Sequence, residues 1–359
     1  MDWVRGEAIG HGSFGKVNLA RPRKQSTQFL PLMVVKSSGV SHSVSLVNEK
    51  KILDELNGCS EIIRCFGESY SFEKGENLYN LLLEYASGGS LAEKLKKSEN
   101  YKLSEFEVCG YTKGILKGLQ YVHEIGYVHC DIKLQNILLG EDGKVKIADF
   151  GLAKRVGIKK DDDLRCELRG TPLYMSPEMI TGGEQGTPSD IWALGCVVAE
   201  MVAGVPAYKF SGVTELLMAI GVKNQLPEIP QELSEEGKDF LNKCFIQDPS
   251  KRWTAEMLLK HPFVSDHDAV TLLNEEIKNG VPSISPKCPF DFPDWVSDEC
   301  VQSSVTCSIT FLPSPENQEN LNMSCGYWST SPAERLRGLM SEFGPESEWC
   351  SDDDWVTVR

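Results

Sequence analysis

The sequence predicts an α+β protein with a bilobal or two-domain body followed by an acidic appendage, and three observations lead there. The chain has 359 residues, more than the roughly 100 to 200 that one compact core usually takes. Strand-like runs near the N-terminus, such as Leu32-Met33-Val34-Val35, give way to segments of helical spacing such as Leu46, Leu53 and Leu56. Beyond Phe263-Val264 that periodicity fades, and Pro, Ser and Asn accumulate around 282 to 293 and 311 to 322.

Charge marks the same boundary. Residues 265 to 359 hold 17 Asp and Glu against 5 Lys and Arg, a net −12 of the chain's −15. The body is therefore expected over 1–264 and the tail over 265–359. An acidic tail argues against nucleic-acid or anionic-membrane binding, because both need positive potential on the contact surface. With 41% hydrophobic and 25% charged residues, wholesale disorder and fibrous repeats are excluded. No apolar run approaches the roughly 20 residues of a membrane-spanning helix, and the opening MDWVRGEAIG has no secretory pattern. The expected location is cytoplasmic, nuclear or both. In such a reducing compartment, 12 cysteines without a Cys-x-x-Cys pair imply neither a disulfide framework nor a zinc site. The sequon at Asn322 is then incidental.

The first element is the run Ile9-Gly10-His11-Gly12-Ser13-Phe14-Gly15-Lys16-Val17, with glycines in a G-x-G-x-x-G-x-V spacing. Glycines so placed let backbone N–H groups approach phosphate oxygens without Cβ obstruction. A tight β-turn uses the same residues, so the run alone leaves both readings open. A dinucleotide fold would require a helix directly afterwards. Pro22 and a polar stretch follow instead, which favours a strand-turn-strand flap.

Next, Lys36 closes an apolar β-branched run, and Glu49 follows 13 positions later on a helix with an apolar face. Downstream of a glycine-rich flap, the two suggest a charge pair that aims an ammonium at phosphate.

The densest signal is His129-Cys130-Asp131-Ile132-Lys133-Leu134-Gln135-Asn136, followed by Asp149-Phe150-Gly151 between apolar strands. Asp131 can accept a hydroxyl proton, Lys133 can neutralise charge on a transferring phosphoryl group, and Asn136 and Asp149 offer the hard oxygens magnesium prefers. Ordinary surface turns would have to produce both motifs, and the flap, by chance.

On these residues the chain resembles the eukaryotic protein kinase family from about Trp3 to Val264. Gly170-Thr171-Pro172-Leu173-Tyr174-Met175-Ser176-Pro177-Glu178, Asp190-Ile191-Trp192-Ala193-Leu194-Gly195 and Asp248-Pro249-Ser250-Lys251-Arg252 follow in the family's order. The resemblance implies a bilobal kinase fold: a small β-rich N-lobe over about 1–83, a hinge at 84–86, a larger, mostly helical C-lobe over about 87–264 and a largely disordered tail. It implies ATP and Mg2+ as cofactors, Leu83 as gatekeeper, and Glu84, Tyr85 and Ala86 as the hinge whose backbone meets adenine. Val17, Val34 and Leu138 would surround the nucleotide, while Leu53, His129 and Phe150 would form a regulatory stack. Glu178 and Arg252 would form a buried pair bracing the large lobe.

Lys133 together with Thr171 matches the serine/threonine pattern. The motifs of the flap, catalytic loop and activation-segment end look most like plant MEKK-like MAP kinase kinase kinases, which implies MAP kinase kinases as protein substrates. An alternative is a pseudokinase or scaffold that binds nucleotide or partners without catalysis. Two residues depart from the family's pattern. Cys130 replaces the arginine that usually pairs with an activation-loop phosphate, and Val34 replaces the common alanine beneath adenine. Cys130 could be a redox sensor or simply a small apolar side chain in a packed loop. Residues 152 to 170 contain no Ser, Thr or Tyr, so that switch lacks both donor and acceptor. Asp161, Asp162 and Asp163 could supply fixed charge to Arg155 or Arg165, or form a solvated patch.

In the tail, Trp295, Trp328, Trp349 and Trp355 sit among acids. They read as docking segments for regulators or for the chain itself, with incidental hydrophobicity as the other reading. Ser331-Pro332-Ala333-Glu334 has the pattern of a helix start and predicts a short helix to about Met340.

Overall fold

A computed structural model describes residues 3–12, 15–22, 32–157, 169–182, 185–210 and 212–265. The expected tail helix, Ser13, Phe14 and the 161–163 acidic run lie outside the described residues.

The N-lobe is an antiparallel sheet of β1 (Trp3–Gly12), β2 (Gly15–Pro22), β3 (Met33–Gly39), β4 (Cys65–Glu73) and β5 (Glu76–Glu84), in the order β1-β2-β3-β5-β4. β1 and β2 form the predicted strand-turn-strand flap, closing at the Gly12–Gly15 pair. Because side chains alternate across a strand, central β3 serves two faces. Met33 and Val35 join Ala20 and Leu82 in an outer cluster, while Val34 and Lys36 face the main core. The sequence reading ended this strand at Lys36; it continues to Gly39, since Ser37 and Ser38 are held in register by Asn80 and Tyr79 of β5. Lys36 therefore sits mid-strand, rigidly placed.

Helix α1 (Val44–Glu55) lies against the sheet and buries Leu46, Glu49, Ile52 and Leu53; Leu56, assigned by its spacing to the helix, is the residue just past its end. After it, Ile63 N–H donates to Ile147 O and Ile147 N–H to Glu61 O, at 2.9 and 2.7 Å, tying the small lobe to the large one.

The C-lobe begins with α2 (Leu91–Lys97) and α3 (Glu105–Glu124). Each opens on a capping box, Ser90 with Glu93 and Ser104 with Glu107, which satisfies N–H groups that a helix start leaves unpaired. Short strands follow: β6 (Tyr127–Val128), β7 (Ile137–Leu139), β8 (Val145–Ile147) and β9 (Lys154–Arg155), with β7 paired to β8 and β6 to β9. Beyond α4 (Pro177–Ile180) runs α5 (Thr187–Ala203), apolar on nearly every side because it is the buried axis of the lobe. Around that axis lie α6 (Val213–Gly221), α7 (Glu235–Cys244), α8 (Ala255–Leu259) and α9 (Pro262–Ser265). Among the described residues no helix is long and apolar enough to cross a membrane.

Candidate active site

Lys36 and Glu49 meet as expected: Lys36 Nζ lies 2.8 Å from Glu49 Oε2 and 3.0 Å from Asp149 Oδ1. Burial opposes the ammonium's charge, yet the carboxylates of Asp149 and Glu49 outweigh it and hold the Lys36 pKa above the usual lysine range. Burial likewise works against ionised Asp149, but Lys36, helped by Lys133, holds its carboxyl below the ordinary value. Glu49 is fully buried, and burial pushes its carboxyl up. Helix α1 is also tied to the segment after Asp149: Asn48 Nδ2 donates to Ala153 O at 3.1 Å.

The flap borders this pair. Val17 is the register partner of Lys36, so both side chains share one face of the sheet. Lys16 does not join them; it pairs with Ser37 on the opposite face and is exposed, because one residue along a strand reverses the direction. A Cβ on Gly15 would sit 2.2 Å from Ser37 O, so that glycine is required by strand contact as well as by any phosphate. Of His11 and Gly12, only the strand backbone is described.

The catalytic loop hangs from Asp190 of α5. Its Oδ2 accepts the His129 N–H at 2.9 Å and its Oδ1 the Cys130 N–H at 3.0 Å. His123 Nε2 reaches Asp190 Oδ2 as well, at 2.9 Å. His129 Nδ1 accepts the Asp131 N–H, which leaves Nε2 protonated to donate to Ala148 O at 3.0 Å. Its ring packs on Phe150, centroids 4.7 Å apart, as in the expected stack. Asp131 is then held by three donors: Thr171 Oγ1 at 2.8 Å, Lys133 Nζ at 2.9 Å and Asn136 Nδ2 at 3.1 Å. Cys130 is buried at a φ of +71°, and burial pushes its thiol far above the usual range, which suits an inert packed side chain rather than a reactive one.

Asn136 donates through Nδ2 to both the carbonyl and the carboxylate of Asp131, leaving its oxygen as the atom a cation could use. Together with Asp149 it offers hard oxygen donors, a set that fits a divalent cation completed by ligands from outside the chain. Among the described residues no group of three or more His, Cys, Asp or Glu could hold a metal ion.

Above the cleft, Leu83 is buried and pairs with Val34 across β3 and β5. Glu84, read as the first hinge residue, is the last residue of β5: its N–H donates to Arg64 O at 2.8 Å, and its carboxylate meets Lys146 Nζ at 3.0 Å. Tyr85 N–H donates to Leu32 O. Ala86 N–H has no acceptor among the described residues. An unpaired N–H on a buried residue is costly, and a base edge in the cleft would satisfy it. Leu138, half-buried on β7, packs against the same core cluster as Val34 and Leu83.

Glu178 and Arg252 pair bidentately, at 2.7 and 3.0 Å, with the guanidinium fully buried over Trp192. Sequence reasoning missed Asp190 as the loop's anchor, Lys146 as the partner of Glu84, and the Tyr174 hydroxyl on Glu200 Oε2 at 2.6 Å. Asp190 and Tyr174 stood inside recognised motifs that named no partner for them; Lys146 and Glu200 are ordinary residues until the fold brings their partners to them.

The model of the protein kinase domain family matches residues 3–264. Over its whole length the chain is 46% identical to mitogen-activated protein kinase kinase kinase 20 of Arabidopsis thaliana, which it covers completely. It is 36% identical to mitogen-activated protein kinase kinase kinase 17 of the same plant over all of this chain and 93% of that one. Across 73% of its length it is 38% identical to the plant's mitogen-activated protein kinase kinase kinase 1, covering 42% of that protein. Among the described residues Lys36, Glu49 and Asp149 meet, as do Asp131, Lys133 and Asn136, and the pseudokinase reading finds no support. The chain belongs to the protein kinase family, as a serine/threonine kinase of the plant MEKK-like MAP kinase kinase kinase type.

Proposed function

We propose that this kinase transfers the γ-phosphoryl group of ATP, bound with Mg2+, to Ser or Thr hydroxyls of MAP kinase kinases. One observation carries the residue roles: Lys36 bridges Glu49 and Asp149 while Asp131 is gripped by Thr171, Lys133 and Asn136. In this reading Lys36 holds the phosphates and Glu49 aims it. Asp131 accepts the substrate hydroxyl's proton, and Lys133 balances charge on the moving phosphoryl group. Asn136 and Asp149 would hold magnesium, which when bound neutralises phosphate charge. Val17, Val34, Leu83, Ala86 and Leu138 enclose the base.

The substrate class is supported by the names of the full-length relatives and by Thr171 beside Asp131. Transfer of label from ATP to purified MAP kinase kinases, with phosphosites mapped and Asp149→Asn as control, tests the whole reading. Label on a generic protein but on no MAP kinase kinase would overturn the substrate class alone. The aromatic, acidic tail is read as a docking segment for regulators. A cytoplasmic or nuclear location accords with free thiols such as Cys59 and Cys65, and imaging a fluorescent fusion tests it.

A further inference from the structure

Two loops must be held against each other for Thr171 to reach Asp131, and their backbones meet at an unusually close point. Gly170 has a φ of +108°, and a Cβ there would lie 2.4 Å from Cys130 O. Only glycine permits both the conformation and the approach. Beside that contact remains a cavity of about 10 Å³, lined by Cys130, Asp131, Arg169, Gly170, Thr171 and Gln185. It has room for about one water. Buried side chains of Ile132, Tyr174 and Met175 also line it, so the loops pack there around a small gap.

The third party at this point is Gln185, two residues before α5. Its side chain is buried, and Nε2 donates to Cys130 O at 3.3 Å and to Arg169 O at 3.2 Å. One carbonyl belongs to the residue before Asp131, the other to the residue two before Thr171. Without a donor between them, the two carbonyls would be buried with their negative ends close together.

We infer that Gln185 is a positioning residue for phosphoryl transfer, clamping the catalytic loop to the end of the activation segment through the carbonyls of Cys130 and Arg169. The inference rests on the roles proposed above for Asp131 and Thr171. A carboxamide carries no charge and does not titrate, so the clamp needs neither a phosphate nor a particular pH. It also explains how a chain with Cys130 in the catalytic loop keeps its two loops in register.

The test uses the full chain with Gln185→Leu and Gln185→Glu, both close in size to glutamine. Gln185→Leu should lower kcat about tenfold while KM for ATP stays within about twofold, since no nucleotide-facing residue is touched. Gln185→Glu should add a pH dependence the wild type lacks, with kcat rising as pH falls, because only the protonated carboxyl can donate to a carbonyl. Hydrogen exchange gives a readout independent of activity: amides of 129–133 and 169–175 should exchange faster in Gln185→Leu, and those of β3 and β5 should not. If Gln185→Leu fails to fold, the pH profile of Gln185→Glu decides. A profile parallel to the wild type's, or unchanged exchange around Cys130 and Gly170, overturns the clamp. An inert wild type with the expected exchange pattern would instead overturn the catalytic roles and leave the clamp standing.

Discussion

Thr171 donates its hydroxyl proton to Asp131 Oδ1 at 2.8 Å and accepts from Lys133 Nζ at 3.0 Å, so one side chain orders both the carboxylate proposed as base and the cation of the loop. A hydrogen bond to a charged group contributes about 1.5–3 kcal/mol. Thr171→Val should therefore lower kcat by about ten- to a hundredfold with little change in KM for ATP, and Thr171→Ser should retain most activity. Steady-state kinetics of the two variants checks this, and a fully active Thr171→Val would refute it.

Lys36→Met should remove most activity, by a hundredfold or more, while the protein stays folded. The ammonium is the cation within 3.0 Å of both Glu49 and Asp149, and methionine fills its space without its charge. Circular dichroism beside a phosphorylation assay separates loss of function from loss of fold, and near-normal turnover would sink the assignment.

Glu200 gives a pH signature of stability. Burial raises its carboxyl from 4.5 to about 7, with the Tyr174 hydroxyl partly opposing. Because the folded-state pKa is the higher one, its contribution is full below about 4.5 and is lost as pH rises through about 7. The span corresponds to an order of about 3 kcal/mol. Thermal unfolding from pH 5 to 8 should show wild-type stability falling relative to Glu200→Gln, whose amide still accepts from Tyr174. Parallel curves would contradict the shift.

Activation-loop phosphorylation should not switch this kinase on. Residues 152 to 170 offer no hydroxyl, and Cys130 has no guanidinium to pair with a phosphate. Enzyme treated with a broad phosphatase, with dephosphorylation verified by intact mass, should lose less than about tenfold of its activity, near 1.4 kcal/mol of transition-state stabilisation. A larger drop, restored by a phosphate mapped between Asp149 and Glu178, would overturn the expectation.

The acidic tail is expected to tune activity or recruit partners without taking part in chemistry. A chain ending near Asp268 should fold and phosphorylate a generic protein at close to the full-length rate. A soluble, folded and inert product would show that the boundary or the role is wrong.

The residues proposed for catalysis stood out in the sequence because phosphoryl transfer needs particular atoms at short spacings: Asp131, Lys133 and Asn136 lie within six residues of one another, and Asp149 heads its own motif. Strand alternation and helical spacing likewise made the flap and the buried face of α1 readable, since both follow from backbone geometry alone. Where interactions join residues distant along the chain, sequence had no signal. Gln185 reaches across 55 residues to Cys130 and Glu84 across 62 to Lys146, and an ordinary glutamine or lysine announces no partner. The end of β3 was misread for a related reason: register with β5, rather than the polarity of Ser37 and Ser38, decides where the strand stops. Tertiary packing alone also selected Asp190 to suspend the catalytic loop, because this residue, 1% exposed, meets its carboxylate's hydrogen-bonding needs from the backbone of His129 and Cys130 and the ring of His123, all brought to it by the fold.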